Sequence, residues 1–351
     1  MIKQKTIYIV IVFLITTFAS YGQYTSISLG DKLEHYRDSL KRTPYEWRFP
    51  IMGDKLRKMG FDLPYPNGLG LNITSSQLYL GLSDAFVGFD EGDLTPIDNF
   101  ARFRSLKADV IAATLRYDVW LLPFWNVYGI VGEIYSGQEV SLGLPFEMTF
   151  NTRPKTSTTV GWGTVVAGGV GPLIVSGDFT MAWTYSSSLD KPSRSIVVGG
   201  RIGHLIRFPN KPEMRLALLV GAQYLGLSRP GEGALNFDKN LGITPEKKER
   251  ALEQLNGWYD GLSDREQEVL EPFYSGASRW LSSDDPILLH YRFNKFLNNP
   301  VSLSTGFNYQ INHRYTITGI YSFLGSRKQL VIGLGYRFGF KGKNILSGLT
   351  L

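Results

Sequence analysis

Arg116, Asp118, Glu133, Asp178, Arg201, Arg215 and Arg337 each fall within a segment whose apolar residues recur at every second position, and each is assigned to the less apolar face. Asn72, Gln223 and Asn308 share that placement. If those faces look inward around a closed sheet, four guanidiniums and three carboxylates meet in one narrow space. The chemistry they offer is ion pairing, because the planar fork of arginine donors matches a carboxylate. Two uses follow. The groups fill the interior of a small barrel as a salt-bridge network, or they line a narrow channel, since a barrel of about eight strands is only just wide enough for side chains.

Other chemistry is sparse. The four histidines are His35, His204, His290 and His313, and only His290 is placed to reach the rim where a hydrolase would need a serine and an acid beside it. There is no cysteine, which excludes disulfides, thiolate metal sites and a lipid-anchored cysteine. No metal-ligand spacing and no phosphate-binding glycine loop occurs, so no metal or cofactor is expected, and the signatures of an enzyme are weak. The net charge is +6, but the lysines and arginines are scattered, and no nucleic-acid partner is expected.

The elements that must position these groups are strands. Met214, Leu216, Leu218, Val220, Ala222 and Tyr224 share one face, and Glu213, Arg215, Ala217, Leu219, Gly221 and Gln223 the other. In 328–340, Leu330, Ile332, Leu334, Tyr336, Phe338 and Phe340 form an unbroken apolar face. Such runs reach or exceed the nine to eleven residues or so that cross a bilayer as a tilted strand. Ten are expected: 68–80, 104–121, 126–138, 157–170, 173–187, 193–207, 212–226, 300–310, 314–323 and 328–340. Their connections alternate between short turns and longer loops, as in membrane barrels. Ile287–Phe293 reads as a further strand and would need a partner in Asp84–Phe89, giving a twelve-strand alternative. Trp120, Phe124, Trp125 and Tyr128 flank the turn at Pro123, where aromatic residues suit a membrane boundary.

The remaining segments divide the chain. Lys3 and Lys5, the apolar run Ile7–Phe18 and the small residues Ser20 and Gly22 read as an export signal over 1–22, cut before Gln23. A polar leader follows over 23–67, with a short helix expected at Gly53–Gly60; a flexible tail and a packed plug are both compatible with it. The barrel spans 68–340, and its insertion 227–299 carries two expected helices, Glu246–Tyr259 and Asp264–Leu281. Ser263 and Glu266 form a capping box at the start of the second, and Pro272 is expected to kink or divide it. A tail occupies 341–351.

The terminal pattern Gly335-Tyr336-Arg337-Phe338-Gly339-Phe340 resembles the C-terminal assembly signal of outer-membrane β-barrel proteins. Phe307–Tyr315 is similar to the strand, tight turn and strand that precede that signal, and Tyr21-Gly22-Gln23 resembles signal-peptide ends of the Bacteroidetes. The resemblance implies a closed antiparallel barrel in the outer membrane. It also implies assembly by the barrel-assembly machinery through Gly335, Tyr336, Phe338 and Phe340, and contact with outer-membrane lipid and lipopolysaccharide. Three functions stay open: a narrow channel or transport protein, a structural or binding barrel whose insertion meets a partner, and a lipid-modifying enzyme.

Overall fold

The computed structural model describes residues 26–90, 92–98, 100, 102–152, 154–187, 191–228, 231–237, 244–283 and 287–344. The export-signal segment and residues 345–351 of the tail lie outside the described residues. Ten long strands close on themselves: β1 (Asn67–Phe89), β3 (Arg102–Leu122), β4 (Trp125–Leu144), β6 (Lys155–Val170), β7 (Leu173–Tyr185), β8 (Ser193–Arg207), β9 (Arg215–Ser228), β12 (Val301–Gln310), β13 (Tyr315–Phe323) and β14 (Arg327–Phe338). Each pairs antiparallel with its neighbours in that order, and β14 returns to β1. The register is staggered. Ile73, in mid-strand on β1, lies on the same hydrogen-bonded line as Ile332, Gly319, Phe307, Leu218, His204 and finally Leu173, beside a turn. That displacement is the strand tilt a closed barrel requires.

One end of the barrel carries the tight turns. Gly171, at φ 61°, supplies the left-handed residue between β6 and β7 that a side chain would strain. At the other end the strands overrun. β1 continues through Gly81–Phe89 and β4 through Glu139–Leu144, regions that read as loops in the sequence. They are extended by β2 (Thr95–Pro96), β5 (Met148–Asn151), β10 (Gly231–Phe237) and β11 (Ile287–Leu297). Both segments of the twelve-strand alternative are therefore strands, but the ring stays at ten. β14 occupies one edge of β1 up to Leu78, and from Leu80 onward β11 takes over that same edge.

On this overrun sits a folded crown. Helices α3 (Pro245–Asp260) and α4 (Asp264–Ser282) pack Leu255, Phe273, Ala277 and Trp280 against Ala85, Ile97, Phe146 and Ile287. Glu266 accepts from the Ser263 N–H (2.9 Å) and hydroxyl (2.6 Å) at the start of α4. The helix runs through Pro272 as one element rather than being divided there, held on both sides by the buried residues Leu270, Phe273 and Ala277. The leader forms α1 (Ser26–Arg42) and α2 (Gly53–Lys58) at the opposite end. It is packed rather than trailing: Ile51 N–H donates to Leu121 O (2.8 Å), and Asn344 of the tail donates to Pro50 O (2.9 Å).

The outer wall is apolar and exposed. Leu71, Ile73, Ile111, Leu115, Val131, Val160, Leu218, Val220, Ile332 and Leu334 all point outward. Tyr117, Trp125, Tyr315 and Tyr336 ring the leader end of that belt, and Tyr79, Tyr135 and Tyr185 ring the crown end. An apolar belt this large has no place on a soluble monomer, and a closed ladder leaves no unpaired edge in the wall; together they define a membrane-spanning barrel. No helix among the described residues is long and apolar enough to cross a membrane.

Candidate functional site in the barrel lumen

Alternation on each strand sends one set of side chains inward, and these assemble into three layers. The first lies nearest the leader. Asp118 is buried and accepts from Arg337 Nη2 (3.0 Å) and Asn126 Nδ2 (2.8 Å), with Arg116 Nε at 3.5 Å. Arg116 Nη2 donates to Asn126 Oδ1 (2.9 Å), and its guanidinium lies 3.8 Å from the centroid of the Tyr128 ring. Arg337 Nε donates to Tyr65 O (2.8 Å), which joins this layer to the leader. Beside it is a polar cavity of about 160 Å³, lined by Asn72, Arg116, Asp118, Asn308, Thr316, Thr318 and Arg337.

The second layer lies further toward the crown. Asp178 and Arg201 form an ion pair, and Gly199 leaves the room that Asp178 occupies. Arg327, only 4% exposed, donates from Nη2 to Gln223 Oε1 (3.1 Å), which also accepts from Ser322 Oγ (3.2 Å). The third layer is apolar. Leu80, Leu106 and Ala108 from one wall meet Leu225 from the opposite wall and Leu297 of β11, forming a collar across the lumen.

The leader end is latched by a separate cluster. Asp62 pairs with Arg215, receives His313 Nε2 at 3.0 Å and has Arg57 Nη1 at 3.9 Å. Glu213 Oε2 stands 3.3 Å from His313 Nδ1, and the Tyr36 hydroxyl is 3.5 Å from His313 Nε2. Burial pushes the Asp62 carboxyl up, but the His313 hydrogen bond and the charge of Arg215 outweigh it and hold it below the ordinary range. The hydrogen bond to Asp62 raises His313 against the cost of burial, with the charges of Asp62 and Glu213 adding to the rise. Burial and the charge of Asp62 raise Tyr36.

The expected inward residues thus divide. Arg116, Asp118 and Arg337 meet in one layer, and Asp178 and Arg201 in another. Arg215 is not with them; it faces the leader at the mouth. Glu133 is a correction: it points outward, beside Thr158 Oγ1 (3.0 Å), in line with Val131 and Tyr135. β4 carries apolar residues on both faces, and Asn126 and Tyr128, bonded to inward partners, fix the opposite phase. Tyr128 is likewise inside rather than at a membrane boundary, whereas Phe124 and Trp125 are outside, as expected. Sequence reading missed Asp62, Asn126 and Arg327. Arg327 adjoins a turn, where the alternation that would mark its face begins. Among the described residues no group of His, Asp or Glu is arranged to hold a metal ion.

No protein-family model matches the chain, and no curated protein matches it. Solved structures with a similar course include the β domain of the Bordetella autotransporter BrkA, at 8% identity and a TM-score of 0.35 over 78% of this chain and 100% of that one. The translocator domain of the autotransporter NalP from Neisseria meningitidis gives 12%, 0.29, 88% and 94%. An outer-membrane channel from Pseudomonas putida F1 gives 9%, 0.29, 79% and 97%. These proteins are outer-membrane β-barrels, and the likeness is one of general barrel course.

Proposed function

We propose that this chain is an integral barrel of the Gram-negative outer membrane and works as a narrow, gated conduit for small polar solutes. The observation that carries this reading is the polar cavity of about 160 Å³ beside Arg116, Asp118 and Arg337: a barrel packed for stability alone has no use for charged groups around open space. The collar of Leu80, Leu106, Leu225 and Leu297 fits a gate that closes by excluding water, as apolar constrictions do in channels. In this reading the leader end faces the periplasm and the crown faces outward, with the tight turns inside and the long connections outside. Membrane lipid and lipopolysaccharide meet the apolar belt and crown, and the barrel-assembly machinery reads Gly335, Tyr336, Phe338 and Phe340 during insertion. No catalytic step is part of the proposal.

Conductance of the refolded chain in planar bilayers tests it. Discrete small currents are expected, and Leu225→Ser, which lets water into the collar, should lengthen or enlarge them. Silence from both proteins would overturn the conduit. A second reading, a barrel whose crown binds a partner, is favoured by the crown having its own core around Leu255 and Ala277, 0% and 1% exposed. Loss of lipopolysaccharide binding on removal of 244–283, with the barrel intact, would support that reading.

A further inference from the structure

We infer that the lumen is selective for small anions, an assignment that rests on the conduit reading and names its solute. Between leader and collar the described inward charges are Arg116, Arg201, Arg327 and Arg337 against Asp118 and Asp178. Both carboxylates are already engaged, Asp118 by Arg337, Arg116 and Asn126, and Asp178 by Arg201. None is left to strip water from a passing cation.

The cations are placed differently. Arg327 is nearly fully buried, its closest acceptor is the neutral amide of Gln223, and no carboxylate among the described residues lies within ion-pair distance. The Nε atoms of Arg201 and Arg327 are buried without a hydrogen-bond acceptor among the described residues, and that of Arg116 meets only Asp118 Oδ1, at 3.5 Å and outside hydrogen-bond geometry. Burying guanidinium in excess of its counter-charge destabilises a wall, and apolar side chains of like volume would serve stability better. A transiting anion supplies the missing partner. Arginine and lysine lining a constriction is a known route to anion selectivity, and low-dielectric walls focus the field of such charges along the pore.

Lys295 repeats the pattern beyond the collar. Its Nζ donates to Gln138 Oε1 (3.2 Å) and lies 5.3 Å from the Phe293 ring centroid, again without a carboxylate among the described residues. Burial there pushes its ammonium down to about 8. Size sets the class. A cavity of about 160 Å³ has room for a small anion such as chloride, phosphate or a short carboxylate with part of its hydration.

The test is the reversal potential of the full chain in a planar bilayer under a KCl gradient, with Arg327→Gln and Arg116→Gln as separate variants. Each variant is first checked for the heat-modifiable mobility of a folded barrel. Chloride preference in the parent, moving toward zero in either folded variant, supports the assignment. Current that prefers potassium, or a chloride preference unchanged in both folded variants, overturns the anion assignment and leaves the conduit standing. Absence of current from the parent and from Leu225→Ser overturns both.

Discussion

Asp62 of the leader and Arg215 of β9, 153 residues apart, form an ion pair that fastens the leader across the mouth of the barrel. Asp62 is the hub of that latch, because His313 and Arg57 reach the same carboxylate. The wall itself does not depend on it. Asp62→Ala should therefore free the leader without unfolding the barrel, weakening docking by about 2 kcal/mol, the usual scale for hydrogen bonds to charged groups. Limited proteolysis checks this: cleavage within 43–62 should accelerate while heat-modifiable mobility stays that of the parent. Unchanged cleavage would remove Asp62 from its place as hub.

The same latch should respond to pH, and the sign follows from the two shifts. His313 is raised above its ordinary value of 6.5, so its contribution is full below that value and is lost as pH rises through the elevated one. Asp62 is lowered below 3.8, so its contribution is present above that value and is lost as pH falls through the depressed one. Docking should be tightest between these limits and loosen on the alkaline side. Glu213, Arg215 and Tyr36 also face the imidazole, Arg57 faces the Asp62 carboxylate, and none of them removes the alkaline limb. Amide exchange of the leader across pH measures it, and His313→Asn should flatten that limb.

The outward phase of β9 is open to direct measurement. Leu218 lies exposed in the apolar belt between Leu216 and Val220. Leu218→Arg should cost about 2–4 kcal/mol of folding into bilayers if it sits near the midplane. Asn308→Ala on the inner face loses one hydrogen bond, to Thr318 Oγ1 at 2.7 Å, and should cost about 1 kcal/mol. Equal costs would reverse the phase.

The ten wall strands were legible because a wall with lipid on one side and polar groups on the other repeats every two residues. Alternation does not mark where lipid ends, which is why β1 and β4 run nine and six residues or so further than the expected wall. Nor does it say which face is inside when both carry apolar residues. β4 has Ile130 and Ile134 on one face and Val131 and Tyr135 on the other, and Glu133 was placed on the wrong one. Gln223 looks from the sequence like a neutral place to add a charge, yet Arg327 already fills that space, so Gln223→Arg should be costly. The latch left no periodic trace at all. Asp62 sits in irregular chain, 251 residues from His313, and only the closed barrel brings them together.

The remaining prediction concerns which way the barrel stands in the membrane. The crown and the leader are at opposite ends, so one label on the crown fixes the direction of the whole. Lys247, in the first turn of α3, is exposed, whereas its neighbour Lys248 donates to Ser283 O (2.8 Å) and helps join the two helices. Lys247→Cys therefore gives this cysteine-free chain a probe that disturbs little packing. A membrane-impermeant maleimide should label it on intact cells, because the long connections of such barrels lie outside and the tight turns lie in the periplasm. A second cysteine at Asp54 of α2 should label only after the outer membrane is opened. The reverse pattern would turn the barrel over, make the latch external and place the crown where periplasmic partners could reach it.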